Sequence, residues 1–176
     1  TRAAALWRDG PGATMLSGAA PFYRTYTCGD GKFISVGAIE PQFWAVLVDG
    51  LGLKNDPDFA SQIDPNGWAR QIARLDALFA TRPRDEWVGL FDSTGACVAP
   101  ILSMAEAAAH PHNAARGTFI EVDGKTEPAP APRLSRTPAT HPTPPRQVGE
   151  DTEMLLAAIG YAPERIAELR AAGTFR

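Results

Sequence analysis

Tyr23, Thr25 and Thr27 alternate with Arg24 and Tyr26 in a β-favouring run, and Phe33, Ile34 and Val36 form a second short β-rich run just beyond it. Gly29-Asp30-Gly31 lies between them, and an Asp-Gly pair flanked by β-type residues is a hairpin signal. Two antiparallel strands are expected, the second ending near Gly37. The period then changes: Phe43, Trp44, Val46, Leu47 and Leu51 recur at helical spacing behind Pro41. Proline suits a first helical position because it has no N–H to lose and its φ is already near the helical value. Gly52 stands where a C-terminal cap belongs, and Asn55-Asp56-Pro57 reads as a turn.

A second helix is expected from Pro65 to Gly67 onward, with Trp68, Ile72, Leu75, Leu78 and Phe79 in one apolar stripe and Arg70 and Arg74 outside it. A third begins at Pro83. Asp85 and Glu86 suit the positive end of its dipole, Trp87, Leu90 and Phe91 form its buried face, and Gly95 ends it. Cys97-Val98-Ala99-Pro100-Ile101-Leu102 is short, apolar and interrupted by proline, the pattern of an edge strand. Ser103-Met104-Ala105-Glu106 has the form of a capping box for a small helix to about Ala109, stopped before Pro111. Thr118 to Val122, closed by Asp123-Gly124, is a further strand. Prolines then crowd the segment from Pro128 to Pro145, which favours an extended path. Met154, Leu155, Ala158 and Ile159 before Gly160, then Ile166 and Leu169 behind Pro163, mark two terminal helices whose apolar stripes need a surface to dock on.

The expected class is α+β, a hairpin-based sheet covered by helices. Its divisions are a connector over 1–20, opening with a short helical piece at Ala3 to Trp7, a small domain over 21–125, a proline-rich linker over 126–148 and C-terminal helices over 149–176.

Composition narrows the function classes. With 176 residues, 44% hydrophobic and 21% charged, the chain has apolar material for one domain and an appendage. A net charge of −3 without clustered Lys and Arg argues against nucleic acid as a partner. No uninterrupted apolar run approaches the ~18 residues of a membrane span. The N-terminus lacks the basic-then-apolar layout of a signal peptide, so a cytoplasmic protein is expected. Cys28 and Cys97 read as two small buried thiols.

Among chemistry-bearing residues, Glu40 is placed most informatively, at a strand-to-helix junction. It is either a helix-start carboxylate, favoured by the dipole by roughly 0.3–1 kcal/mol, or a carboxylate that Gly37 and Ala38 let reach a pocket. His110 and His112 flank Pro111 in a polar helix-end turn, and no Cys or Asp completes a metal-ligand pattern around them. No metal or cofactor is expected, and there is no Gly-rich phosphate loop followed by a Lys. His141, among prolines, is expected to be solvated. Arg133 and Arg136 are placed either to contact an anionic phosphate or to form structural salt bridges.

Phe22-Tyr23 with Thr25-Tyr26, the turn Gly29-Asp30-Gly31, and Val36-Gly37-Ala38-Ile39-Glu40-Pro41-Gln42-Phe43 together resemble the α-methylacyl-CoA racemases of the family III CoA-transferase superfamily. Cys97 to Leu102, Glu106, His110-Pro111-His112 and Pro130 to Thr137 continue the resemblance in order over nearly the whole chain. The likeness is to the C-terminal half of such enzymes, and the start at Thr1 accords with a fragment. The resemblance implies an acyl-CoA thioester substrate, a large N-terminal domain to which the terminal helices return, and an interlocked homodimer. It implies that a His and an Asp upstream transfer protons while Glu40 hydrogen-bonds that His, and that Leu16, Tyr23 and Ile39 line an acyl pocket shared with the second subunit. Two alternatives remain open: a CoA-transferase of the same superfamily, and a non-catalytic association domain. Transferases commonly carry a Gly-Asn-Asp-like turn where this chain has Gly37-Ala38-Ile39-Glu40, which favours the racemase.

Overall fold

Alternation in the first β-rich run becomes strand β1 (Tyr23–Thr27), which pairs antiparallel with β2 (Phe33–Gly37) in the register Tyr23↔Gly37, Thr25↔Ser35, Thr27↔Phe33. The connection closes through a hydrogen bond from Gly31 N to Cys28 O (2.9 Å), with Gly31 at φ +76°. A residue at positive φ after a β-turn matches the right-handed twist of the two strands, and glycine takes that conformation without a Cβ penalty. Gly29 is required for a different reason. A Cβ there would lie 2.8 Å from the carbonyl oxygen of Ala80 and 3.2 Å from that of Arg82, both backbone atoms. The structure, a computed structural model, describes Gly10 and residues 12–175. The helical piece expected at Ala3 to Trp7 lies outside the described residues.

Two units make up the chain, one running to Met104 and one from Ala105. In the first, β2 is the centre of a three-stranded antiparallel sheet whose other edge is β3 (Val98–Ile101). Pro100, which has no N–H to donate, therefore sits on an edge strand, where it is tolerated. The sheet's period of two sends Tyr26, Ile34 and Val36 into the core, while Tyr23, Thr25 and Phe33 lie exposed. Helices α1 (Pro41–Gly50), α2 (Pro65–Phe79) and α3 (Arg84–Phe91) supply the rest of the core. Phe22 meets Trp44 and Trp68 edge-on at 6.0 and 5.8 Å, and Phe79 meets Trp87 at 5.3 Å. Two buried aromatic polar tips are matched: Trp87 Nε1 donates to Phe79 O (2.9 Å) and Tyr26 Oη to Pro21 O (2.6 Å). Helix α1 stops as expected around Gly52 (φ +73°): Gly52 N bonds Asp49 O and Leu53 N bonds Val48 O, the paired bonds of a Schellman ending.

Several expectations are corrected. Leu90 is 42% exposed, and Val88 takes the half-buried place beside Trp87 and Phe91. Cys97 is exposed rather than buried, while Cys28 is buried; both are free thiols. Gln71, not counted in the apolar stripe of α2, is buried and donates from Nε2 to Asp58 O and Ser61 O, leaving its Oε1 without a partner. Arg84 is also buried, with Nε on Asp85 Oδ1 (2.8 Å) and Nη1 on Ile101 O (2.9 Å), so its charge is compensated where the chain folds over it.

In the second unit, α4 (Met104–Ala109) ends before Pro111 as expected. The His110-Pro111-His112 stretch is not merely a helix-end turn: Pro111 starts a new short helix, α5 (Pro111–Ala115), with His110 as its extended N-cap. Beyond Gly124, β4 (Phe119–Val122) turns back into β5 (Lys125–Pro128), a strand that Lys125, Thr126 and Glu127 gave no apolar alternation to announce. The terminal stripes become α6 (Thr152–Ala158) and α7 (Pro163–Ala171). Ile166 of α7 is buried, whereas Met154, Leu155 and Ile159 are exposed.

Candidate functional site

Between β2 and α1 the chain turns within three residues. Gly37 N donates to Cys97 O (2.9 Å), which ties the end of β2 to the residue before β3, and Ile39 N donates back to Gly37 O (2.9 Å). Such a two-residue closure reverses the chain direction in the smallest space available. Gly37 does not owe its place to a positive φ, for a Cβ there would meet Cys97 at ordinary contact distances of 3.6 Å and more. Glu40 follows at φ −73°, ψ 142°, the extended conformation that a following proline imposes on its neighbour. Its carbonyl accepts from Phe43 N and Trp44 N, both at 3.0 Å, and so opens the helix.

The Glu40 side chain takes no part in this. It is exposed, makes no cap hydrogen bond to α1, and has no hydrogen-bond or ion-pair partner among the described residues. Both sequence readings stay open: a helix-start carboxylate favoured by the dipole needs no such bond, and the oxygens remain available to a partner outside this fold.

Leu16 and Tyr23, separated in sequence, come together at a cleft of about 700 Å³ that also involves Arg24, Ser35, Gly37 and Cys97. Leu16 is held there by a 3₁₀ turn, Met15–Ser17, in which the Ser17 hydroxyl accepts from Thr14 N at 2.9 Å. Leu16 is 58% exposed, an apolar side chain presented outward rather than stored in the core. Ile39 lies apart from the cleft wall, half-buried and packed against the core. Glu40 is likewise not in the wall, but stands three residues beyond Gly37, which is. Neither Arg24 nor Cys97 was singled out for this place by the sequence. Arg24 carries its guanidinium 5.3 Å from the ring centre of Tyr26. Cys97 holds a left-handed backbone, φ +54°, at the edge of the cleft.

Electrostatics sharpen the contrast between the two thiols and locate the buried phenol. Burial raises the Cys28 thiol above its ordinary pKa, with the Asp30 carboxylate adding in the same direction. Burial likewise pushes the Tyr26 phenol far up, so it remains a neutral donor to Pro21. In the second unit, Arg133 has no salt bridge among the described residues. Its guanidinium donates to the carbonyls of Arg116 and Gly117 (2.7 Å to the latter), strapping the proline-rich segment to the end of α5. His110 and His112 do not join a metal-ligating group, and no cluster of His, Cys, Asp and Glu able to hold a metal exists among the described residues. Among the same residues no helix is long and apolar enough to cross a membrane.

Comparison with known proteins is consistent with this architecture. The family model for CoA-transferase family III matches residues 5–152. The α-methylacyl-CoA racemases of Mus musculus and Homo sapiens are 43% and 42% identical to this chain, each over 96% of it. The chain spans less than half the length of these curated relatives, 45% and 44% respectively. Among solved structures, a CAIB/BAIF family protein from Brucella suis superposes with a TM-score of 0.68 over 82% of this chain and 39% of its own, at 20% identity, a likeness of fold. With the family model covering most of its length and these relatives aligned from end to end of it, the chain belongs to CoA-transferase family III.

Proposed function

We propose that this chain is the acyl-binding and base-positioning part of an α-methylacyl-CoA racemase, an isomerase that epimerises 2-methylacyl-CoA thioesters through an enolate. The observation that carries the proposal is the 43% identity with a curated racemase over 96% of the chain. Racemisation requires removal of a weakly acidic α-proton, stabilisation of the enolate and return of a proton to either face. One carboxylate does not accomplish that. In the enzymes this sequence resembles, a His and an Asp upstream of the matching region move the protons, and a glutamate at the position of Glu40 hydrogen-bonds the His. An exposed Glu40 whose oxygens are not spent within its own fold supports such a role. Leu16 and Tyr23 contribute apolar contact for the acyl chain along the cleft, and half-buried Ile39, apart from that cleft and next to Glu40 in the chain, contributes where the rest of the enzyme closes the pocket. The site is completed by the large domain and by a second subunit.

Loss of deuterium from the α-carbon of a 2-methylacyl-CoA in buffered water tests the division of labour. The assembled enzyme is expected to exchange and invert that centre without any acyl acceptor, and the isolated chain to do neither. Exchange by the isolated chain, free of full-length enzyme, would show that the proton-transfer groups lie within it. CoA transfer to a free-acid acceptor by the assembled enzyme, with no α-exchange, would replace the racemase by a transferase.

A further inference from the structure

Gln62 lies in the loop before α2, is only 8% exposed, and makes no hydrogen bond that serves its own loop. Its Nε2 donates to two consecutive carbonyls far back in the chain, Ala38 O at 3.0 Å and Ile39 O at 2.8 Å. Both protons of one carboxamide are thus engaged by the two peptide units that lead into Glu40. The clamp is itself fixed to α2, because Trp68 Nε1 donates to Gln62 O at 2.9 Å. Gln71 Nε2 holds Asp58 O (2.7 Å) and Ser61 O (3.0 Å), immobilising the segment that carries Gln62. From the opposite side, the bonds from Gly37 N to Cys97 O and from Ile39 N to Gly37 O pin the start of the turn. Two peptide planes held from both sides fix the backbone that leads into Glu40, and with it the direction of the Glu40 Cα–Cβ bond.

We infer that Gln62 is a positioning residue for the Glu40 carboxylate, so that the proton-transfer rate of the enzyme depends on a carboxamide that touches neither the substrate nor the proton-transfer groups. The inference rests on the role proposed above for Glu40. Misplacing a group in a proton-transfer site by about 1 Å costs up to roughly a hundredfold in rate.

The test uses the assembled enzyme and three variants: Gln62→Met, which keeps length and removes both donors, Glu40→Gln, and the two combined. In folded Gln62→Met enzyme, kcat is expected to fall about tenfold with KM changed less than about twofold. Adding Gln62→Met to Glu40→Gln is expected to cost nothing further, since its route to the rate runs through that carboxylate. A lowered thermal midpoint with kcat per folded molecule intact would make Gln62 a stability residue only and overturn the inference. An additive further loss in the double variant would overturn it as well. If Glu40→Gln alone leaves the rate unchanged, the Glu40 reading fails first and takes this one with it, whereas a slow Glu40→Gln beside an unimpaired Gln62→Met refutes this inference alone. Should Gln62→Met not fold, the unaltered chain still decides by NMR. The Gln62 carboxamide protons should exchange with water more slowly than those of exposed Gln42, and equal rates would deny the clamp.

Discussion

Replacing Glu40 by Gln keeps the shape of the side chain and removes its charge, and the structure separates what that removal does to stability from what it does to rate. No cap hydrogen bond from the Glu40 side chain is lost, because none is made, and no ion pair is broken among the described residues. What remains is the interaction of a carboxylate with the N-terminus of α1, worth about 0.3–1 kcal/mol in an exposed setting. A urea melt of the isolated chain should therefore register a loss no larger than that. Under the function proposed above, the carboxylate would have a second engagement in the assembled enzyme, a charge-assisted hydrogen bond to the proton-transferring His. Such bonds contribute about 1.5–3 kcal/mol, which at about 1.36 kcal/mol per decade is one to two decades in rate. The α-deuterium exchange rate should fall by that factor with thioester binding little changed. Because a neighbouring carboxylate raises the pKa of a His, its loss should also move the acid limb of the rate profile to lower pH. A Glu40→Gln enzyme, folded and within about twofold of the parent rate, would refute the reasoning and leave Glu40 as a helix-start charge.

Three further outcomes follow from the packing and the charges. Gly29→Ala drives a Cβ to within 2.8 Å of the Ala80 carbonyl oxygen; as neither backbone can yield freely, a loss of about 1–3 kcal/mol is expected, and an unchanged urea midpoint would contradict it. Iodoacetamide at neutral pH should alkylate exposed Cys97 and spare Cys28, whose thiol burial holds in the protonated form, until denaturant is added; equal native-state rates would count against the burial of Cys28. Asp56 is held below its ordinary pKa of 3.8 by the Asp58 backbone N–H first and by the Arg74 guanidinium next. Its contribution is therefore fully present above that value and disappears as pH falls through the lowered one, so Asp56→Asn should flatten the acid side of a stability profile below pH 3.8, and an identical slope would exclude the linkage.

Much of the local structure was legible because its causes are local. The period-two runs at Tyr23 and Phe33, the glycine after Asp30, the prolines that open α1 and α2, and the glycine past α1 each act on their immediate neighbours, so the hairpin, the starts of α1 and α2 and the end of α1 could be placed before any packing was known, whereas α3 stops at Phe91 and not at Gly95. Glu40, Leu16 and Tyr23 entered the candidate site through resemblance, and spacing alone did not join them. The assembly of the site belongs to tertiary structure. Leu16 reaches Tyr23 only through the 3₁₀ turn at Met15–Ser17, Cys97 reaches Gly37 only through the register of β2 and β3, and Gln62 reaches the carbonyls of Ala38 and Ile39 across more than twenty residues. The face of α3 also escaped the pattern, since Val88 and Leu90 are equally apolar and only the position of the neighbouring elements decides which is covered. Local backbone preferences act over a turn or a strand pair and can be read from neighbours. The burial of a given carboxamide, or the side on which a leucine stays wet, depends on surfaces contributed from distant parts of the chain, and those surfaces exist only once the chain has packed.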